Sequence, residues 1–158
     1  MREKPIQDYY PDEAAVCYGC GRNNSDGLHI QTHWDGEEGV CHFTPKPHHT
    51  AFPGFVYGGL VASLIDCHSM ATAIAAAYQA AGRDPDTEPE ITYVTGSLSV
   101  RYLKPTPMGT ELVLRSRVTE MHEKKAIVVT SVYADEVECV SGEVVAVRVP
   151  SRMMQGGA

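Results

Sequence analysis

Residues 58–81 read GGLVASLIDCHSMATAIAAAYQAA. The stretch holds no Lys, Arg or Glu, and Asp66 is its one charged residue. Apolar side chains fall on every face of a helix drawn through it: Leu60, Val61, Leu64, Ile65, Met70, Ile74 and the alanines from Ala71 to Ala81. A helix apolar all round is buried in a core or set in a membrane. An Asp near the middle of a span costs about 2.5–3.5 kcal/mol on insertion scales. Ser63, His68, Ser69, Thr72 and Gln79 add to that cost. The balance favours a central helix wrapped by a sheet, and no membrane partner.

The flanking sequence supplies that sheet. Residues 28–34 partly alternate and are predicted as a strand. Asp35-Gly36 is a turn signal, and residues 39–44 are predicted as the returning strand. A Pro- and His-rich loop, 45–53, leads to the helix. Residues 82–89 (GRDPDTEP) read as a loop by composition. From Ile91 onward β-branched residues dominate, with breaks at 105–109, 122–124 and 135–136. Two short strands, one long helix and four more strands make an α+β chain with a single helix to cover one sheet. Four strands in succession with short breaks predict an antiparallel meander.

The 158 residues (17.2 kDa) fit one domain. We assign it residues 17–150, with a polar N-terminal extension over 1–16 and a tail over 151–158. Hydrophobic residues make up 43% and charged residues 21%, which excludes a disordered chain. A net charge of −7 is wrong for neutralising phosphates, so no nucleic-acid partner is expected. Residues 1–10 lack an apolar run, and the expected compartment is the cytoplasm. Five cysteines, at 17, 20, 41, 67 and 139, argue against a disulfide framework. Cys17-x-x-Cys20-Gly21 looks like half of a zinc knuckle, with no second C-x-x-C to complete it. Cys41, His42, His29 or His33 could serve only if the fold brings them near. The expected reading is a glycine-rich turn with two semi-buried thiols and no metal.

Asp66 is the first site candidate, because a lone carboxylate in an apolar helix is costly unless paired or functional. The alternative is a structural partner on a neighbouring loop or strand. Gly58-Gly59 open the helix, where N–H groups have no internal partner and the helix dipole is positive. That is a ready site for a developing oxyanion. Eight residues at 1.5 Å rise separate Gly58 from Asp66 by about 12 Å. One carbonyl cannot meet both from the same helix. An antiparallel pair of helices from two chains would bring them together, which predicts an isologous dimer with two shared sites.

The stretch Val56-Tyr57-Gly58-Gly59 through Asp66 resembles the hotdog-fold acyl-CoA thioesterases, in particular the phenylacetate-pathway type. The following Ser99-Val100-Arg101-Tyr102-Leu103-Lys104-Pro105, with Gly109 after it, is similar too. So is the N-terminal Cys17-Tyr18-Gly19-Cys20-Gly21 with Asn24 and Gly27-Leu28. The resemblance spans residues 17–149. It implies hydrolysis of an acyl-CoA thioester by a dimer or dimer of dimers, with no metal or redox cofactor and coenzyme A as part of the substrate. By the same resemblance the Gly58 N–H polarises the thioester carbonyl. Asp66 of the partner chain activates water or attacks directly, and Thr95 supplies a hydroxyl that holds the water. Tyr57 stands where the family usually has His, and Ala51 about where it has Asn. Tyr57, Gly59, His49 and Phe52 are then the expected substrate contacts. Other readings are a hydratase or dehydratase on the same fold and a non-catalytic acyl-CoA binder.

Overall fold

The computed structural model describes residues 4–150 and Met153, so the 151–158 tail falls almost wholly outside the described residues. A short 3-10 helix over Ile6–Tyr9 precedes strands β1 (His33–Trp34) and β2 (Gly39–Phe43). Helix α1 (Gly58–Ala80) follows, then β3 (Thr92–Tyr102), β4 (Leu112–Met121), β5 (Lys125–Ala134) and β6 (Val137–Val149).

The helix lies where the sequence predicts it, and its ends have local causes. Alanine-rich sequence favours the helical backbone. The C-terminus is closed by Gly82, whose φ of 65° suits a residue without Cβ. Gly82 N–H donates to the Gln79 carbonyl (3.0 Å) and Arg83 N–H to the Tyr78 carbonyl (2.9 Å), satisfying carbonyls that the helix leaves open. By length and hydropathy α1 could cross a membrane, yet 72% of its most apolar stretch is buried inside the fold.

Six antiparallel strands form one sheet in the order β1-β2-β4-β5-β6-β3. Strands β4, β5 and β6 form the predicted meander, but β3 does not pair with β4. It pairs with β6 at the far edge. The connection from Leu103 to Glu111 explains the crossing, because it docks on the loop before α1. Val56 N–H donates to the Thr106 carbonyl (2.8 Å), and Met108 N–H to the Gly54 carbonyl (2.9 Å). The first predicted strand also shrinks to two residues. His29 has a left-handed φ of 55°, which breaks an extended run. Leu28 and Ile30 spend their N–H groups on the carbonyls of Tyr18 and Gly19 instead.

Inward residues alternate along the sheet. Ala126, Val128, Thr130, Val132 and Ala134 of β5 are buried while their neighbours are less so. Leu112, Leu114, Val128, Val140 and Val144 close over Val61, Leu64 and Ile65 of α1, all nearly inaccessible. Each such side chain contributes about 1.5–3 kcal/mol. Most buried polar groups on this face are paired, while His68 Nε2 has no hydrogen-bond partner among the described residues. Ser69 on α1 bonds Thr130 on β5 (2.9 Å), which bonds Ser116 on β4 (2.5 Å). His68 bonds Thr32 through Nδ1 (2.9 Å), and burial lowers its pKa to about 3, so the ring is neutral.

The N-terminal extension is part of the packing. Ile6 is fully buried, its N–H donates to the Thr32 carbonyl (2.8 Å), and the Gln7 side chain bonds Thr32 twice. The polar sequence around them hides these anchors.

Candidate active site

Asp66 sits half-buried on α1 and borders a cavity of about 260 Å³. The cavity lies between α1, the start of β3 and the N-terminal extension. Its walls include Tyr9, Tyr10, Met70, Ile74, Tyr78 and Ile91, with Asp66 and Thr95 among the few polar groups. A mostly apolar recess with a few placed polar groups is the usual form of a small-molecule site.

Thr95 comes from β3. Its Oγ1 donates a hydrogen bond to Asp66 Oδ1. The strand is bulged there: Thr95 pairs with Ala146 and Ser97 with Val145, leaving Gly96 unopposed. An extra residue rotates the strand locally and re-aims its side chains. With Oδ1 engaged, Asp66 Oδ2 and the Thr95 lone pairs remain for a third group.

The start of α1 forms a second recess, which includes Phe55, Gly58, Tyr102 and Lys104. The N-cap residue, Tyr57, makes no side-chain capping bond, and no acidic side chain occupies the first turn. The first intrahelical donors are Leu60 and Val61, both to the Tyr57 carbonyl. The N–H groups of Gly58 and Gly59 precede them. A Cβ on Gly59 would come within 2.6 Å of the Tyr57 ring, so a larger residue there would push that exposed ring aside. Tyr102 Oη donates to the Gly58 carbonyl (2.7 Å). The two recesses share no lining residue.

The expected substrate contacts Tyr57, Gly59, His49 and Phe52 line neither recess; they lie on the loop before α1 and in its first turn. The His49 carbonyl accepts from Tyr57 N–H (2.9 Å). His49 Nδ1 accepts from Lys46 N–H (2.9 Å), and its ring stacks on Phe43. Partial burial, then the nearby His48 and Lys46, lower the His49 pKa. Tyr57 is 58% exposed and Phe52 82% exposed, so neither closes a pocket within one chain.

The sequence reading missed one grouping. Cys67, next to Asp66 on α1, faces Cys17 and Cys20, and all three sulfurs lie within 4.8 Å of one another. None of Cys41, His42, His29 and His33 belongs to that group. Cys41 is buried in β2, and burial pushes its thiol pKa up to about 12. Adjacency of Cys67 to the candidate carboxylate was the available signal, but only the tertiary fold brings residues 17–20 against the middle of α1.

Residues 53–141, more than half of the chain, match the thioesterase superfamily. The chain belongs to the thioesterase superfamily. A thioesterase superfamily protein from Shewanella loihica, known from its crystal structure, is 42% identical. That likeness covers 91% of this chain and 99% of the other, with a TM-score of 0.67. Acyl-coenzyme A thioesterase THEM4 of Xenopus laevis is 31% identical over 86 residues, 54% of this chain and 33% of the relative. The chain therefore spans about a third of the length of that curated relative. The PaaI protein of the E. coli phenylacetic acid degradation operon shares the fold at 14% identity and a TM-score of 0.63, covering 77% of this chain and 80% of that one. One long helix against a six-stranded antiparallel sheet makes this superfamily member a hotdog fold.

Proposed function

We propose that this superfamily member hydrolyses an acyl-CoA thioester to a free acid and coenzyme A in the cytoplasm. The observation that carries this reading is the Thr95–Asp66 hydrogen bond at an apolar cavity. The Thr95 proton goes to Asp66 Oδ1, so the Thr95 lone pairs can hold a water. Asp66 Oδ2 takes that water's proton as its oxygen attacks the thioester carbon. The carbonyl electrons move onto oxygen, which the Gly58 N–H at the helix N-terminus stabilises. Collapse expels the coenzyme A thiolate, and the proton held by Asp66 passes to it. No metal or redox group enters these steps.

The reading requires two chains. Gly58 and Asp66 stand about 12 Å apart along one helix. An isologous dimer would set Gly58 of one protomer opposite Asp66 of its partner. Two features support this. Among the described residues, the outer edge of β3 has no neighbouring strand in the protomer. Exposed Phe55, Tyr57, Leu98, Tyr102 and Leu103 lie on or near that edge and the helix start. Tyr57, Gly59, His49 and Phe52 would then contact the thioester from the other chain.

The test is a screen of short, long and aromatic acyl-CoA esters with a thiol-detecting dye. Release of free coenzyme A with at least one ester is expected. Binding without thiol release across all classes would replace hydrolysis with the acyl-CoA binder.

A further inference from the structure

Residues 17–21 fold as a tight knuckle. Gly21 N–H donates to the Cys17 carbonyl (2.8 Å), closing the turn. Leu28 and Ile30 pin it from outside, through the carbonyls of Tyr18 (2.8 Å) and Gly19 (3.0 Å).

The third thiol comes from the helix. Cys67 Sγ lies 3.9 Å from Cys17 Sγ. A Cβ on Gly19 would sit 2.4 Å from the Cys67 sulfur, so only glycine at this position admits the helix thiol into the knuckle. All three cysteines are free thiols. Tetrahedral zinc with Zn–S bonds near 2.3 Å sets its sulfurs about 3.8 Å apart. The observed spacing matches that figure for Cys17 and Cys67, and the 4.8 Å limit on the trio asks for small side-chain shifts only.

We propose that Cys17, Cys20 and Cys67 hold a zinc ion through three thiolates, with the fourth position open to solvent. Soft thiolates select a zinc-class d10 cation over magnesium or calcium. Cys17 is exposed, so water can fill the fourth position. Thiol protons leave to solvent as the metal binds. The ion ties the knuckle to the middle of α1. The three cysteines line the cavity beside Asp66, next to the segment that carries Tyr9, Tyr10 and Ala14. We assign the zinc the part of a clamp on that wall, and metal binding is read out separately from the hydrolysis proposed above.

The full chain, reduced with a phosphine and stripped by a chelator, is titrated with Co²⁺. We expect one equivalent to give thiolate-to-cobalt charge-transfer absorption and the strong visible bands of a tetrahedral site. One equivalent of Zn²⁺ bleaches both. Cys17→Ser and Cys67→Ser should each weaken Zn²⁺ binding by more than about 100-fold, beyond the loss typical of outer-shell changes. Cys139→Ser should bind as wild type. Zn²⁺ should raise the Tm of the wild type and leave that of Cys17→Ser unmoved. If Cys67→Ser fails to fold, Cys17→Ser on its exposed loop decides the matter. Absence of the charge-transfer band at saturating Co²⁺, or equal Zn²⁺ affinity in Cys17→Ser, overturns the proposal.

Discussion

Thr95 and Tyr102 stand seven positions apart on β3, yet both side chains reach the same helix. Thr95 Oγ1 bonds Asp66, and Tyr102 Oη bonds the Gly58 carbonyl. Strict alternation would send residues an odd number apart to opposite faces of the sheet. The unopposed Gly96 between them shifts the alternation by one. A single strand thereby touches both the carboxylate and the helix start.

Asp66→Asn keeps the shape of the side chain and removes the base. Turnover should fall by about 10²–10⁴-fold, the usual loss for a general base. The melting temperature should stay close to wild type, since Asp66 is only half-buried. Wild-type rates from pure Asp66→Asn protein would end the assigned mechanism.

Thr95→Ala removes a hydroxyl that positions water without itself taking the proton. A loss near tenfold in kcat is expected, about 1.4 kcal/mol of barrier. Thr95→Ser should retain most of the rate. Steady-state kinetics on the best ester checks this, and unchanged kcat in Thr95→Ala would move the role to solvent.

Mixed dimers test the shared site. Asp66→Asn and Gly58→Pro, the latter lacking the oxyanion N–H, are each expected to be inactive as homodimers. Their heterodimer holds one site with both defects and one with neither. Mixing under exchange conditions should restore up to about half of wild-type activity per heterodimer. If exchange is demonstrated, Gly58→Pro is folded and no activity returns, the two-chain site falls.

Acid should destabilise the core through His68. Its pKa is lowered by burial from 6.5 to about 3. The unfolded chain therefore binds the proton more tightly, and this contribution to stability is complete above pH 6.5 and declines as pH falls toward 3. From pH 7 to pH 5 the loss is about 2 kcal/mol. Urea unfolding with a chelator present, compared with His68→Gln, measures it. Equal pH dependence in the two proteins would assign the effect elsewhere.

The long helix was readable because an uncharged run of that length has few other places to go. The sheet's inward faces were readable for the same reason, through alternation. Strand order was not, since the choice of β6 over β4 as the partner of β3 rests on contacts between 103–111 and the loop before α1. The left-handed His29 also escaped notice, as the partial alternation of Leu28–Trp34 carries no Gly or Pro to mark a break. Asp66 was legible by its isolation among apolar residues, and Thr95 only through family resemblance. Gly96 inside a strand was a usable sign of a bulge that the sequence reading did not take. Cys67 beside Cys17 and Cys20 joins residues 50 positions apart, beyond any local pattern.

The cavity wall built by residues 6–14 precedes the segment 53–141 that matches the superfamily. It contributes no strand to the sheet, and neither Asp66 nor Thr95 belongs to it. On the reading proposed above, acyl-group preference would be set partly in the leading segment and the chemistry in the helix and sheet. Two relatives with matching helices can differ in what they accept, and exchanging their first twenty residues is the economical way to move a preference from one to the other.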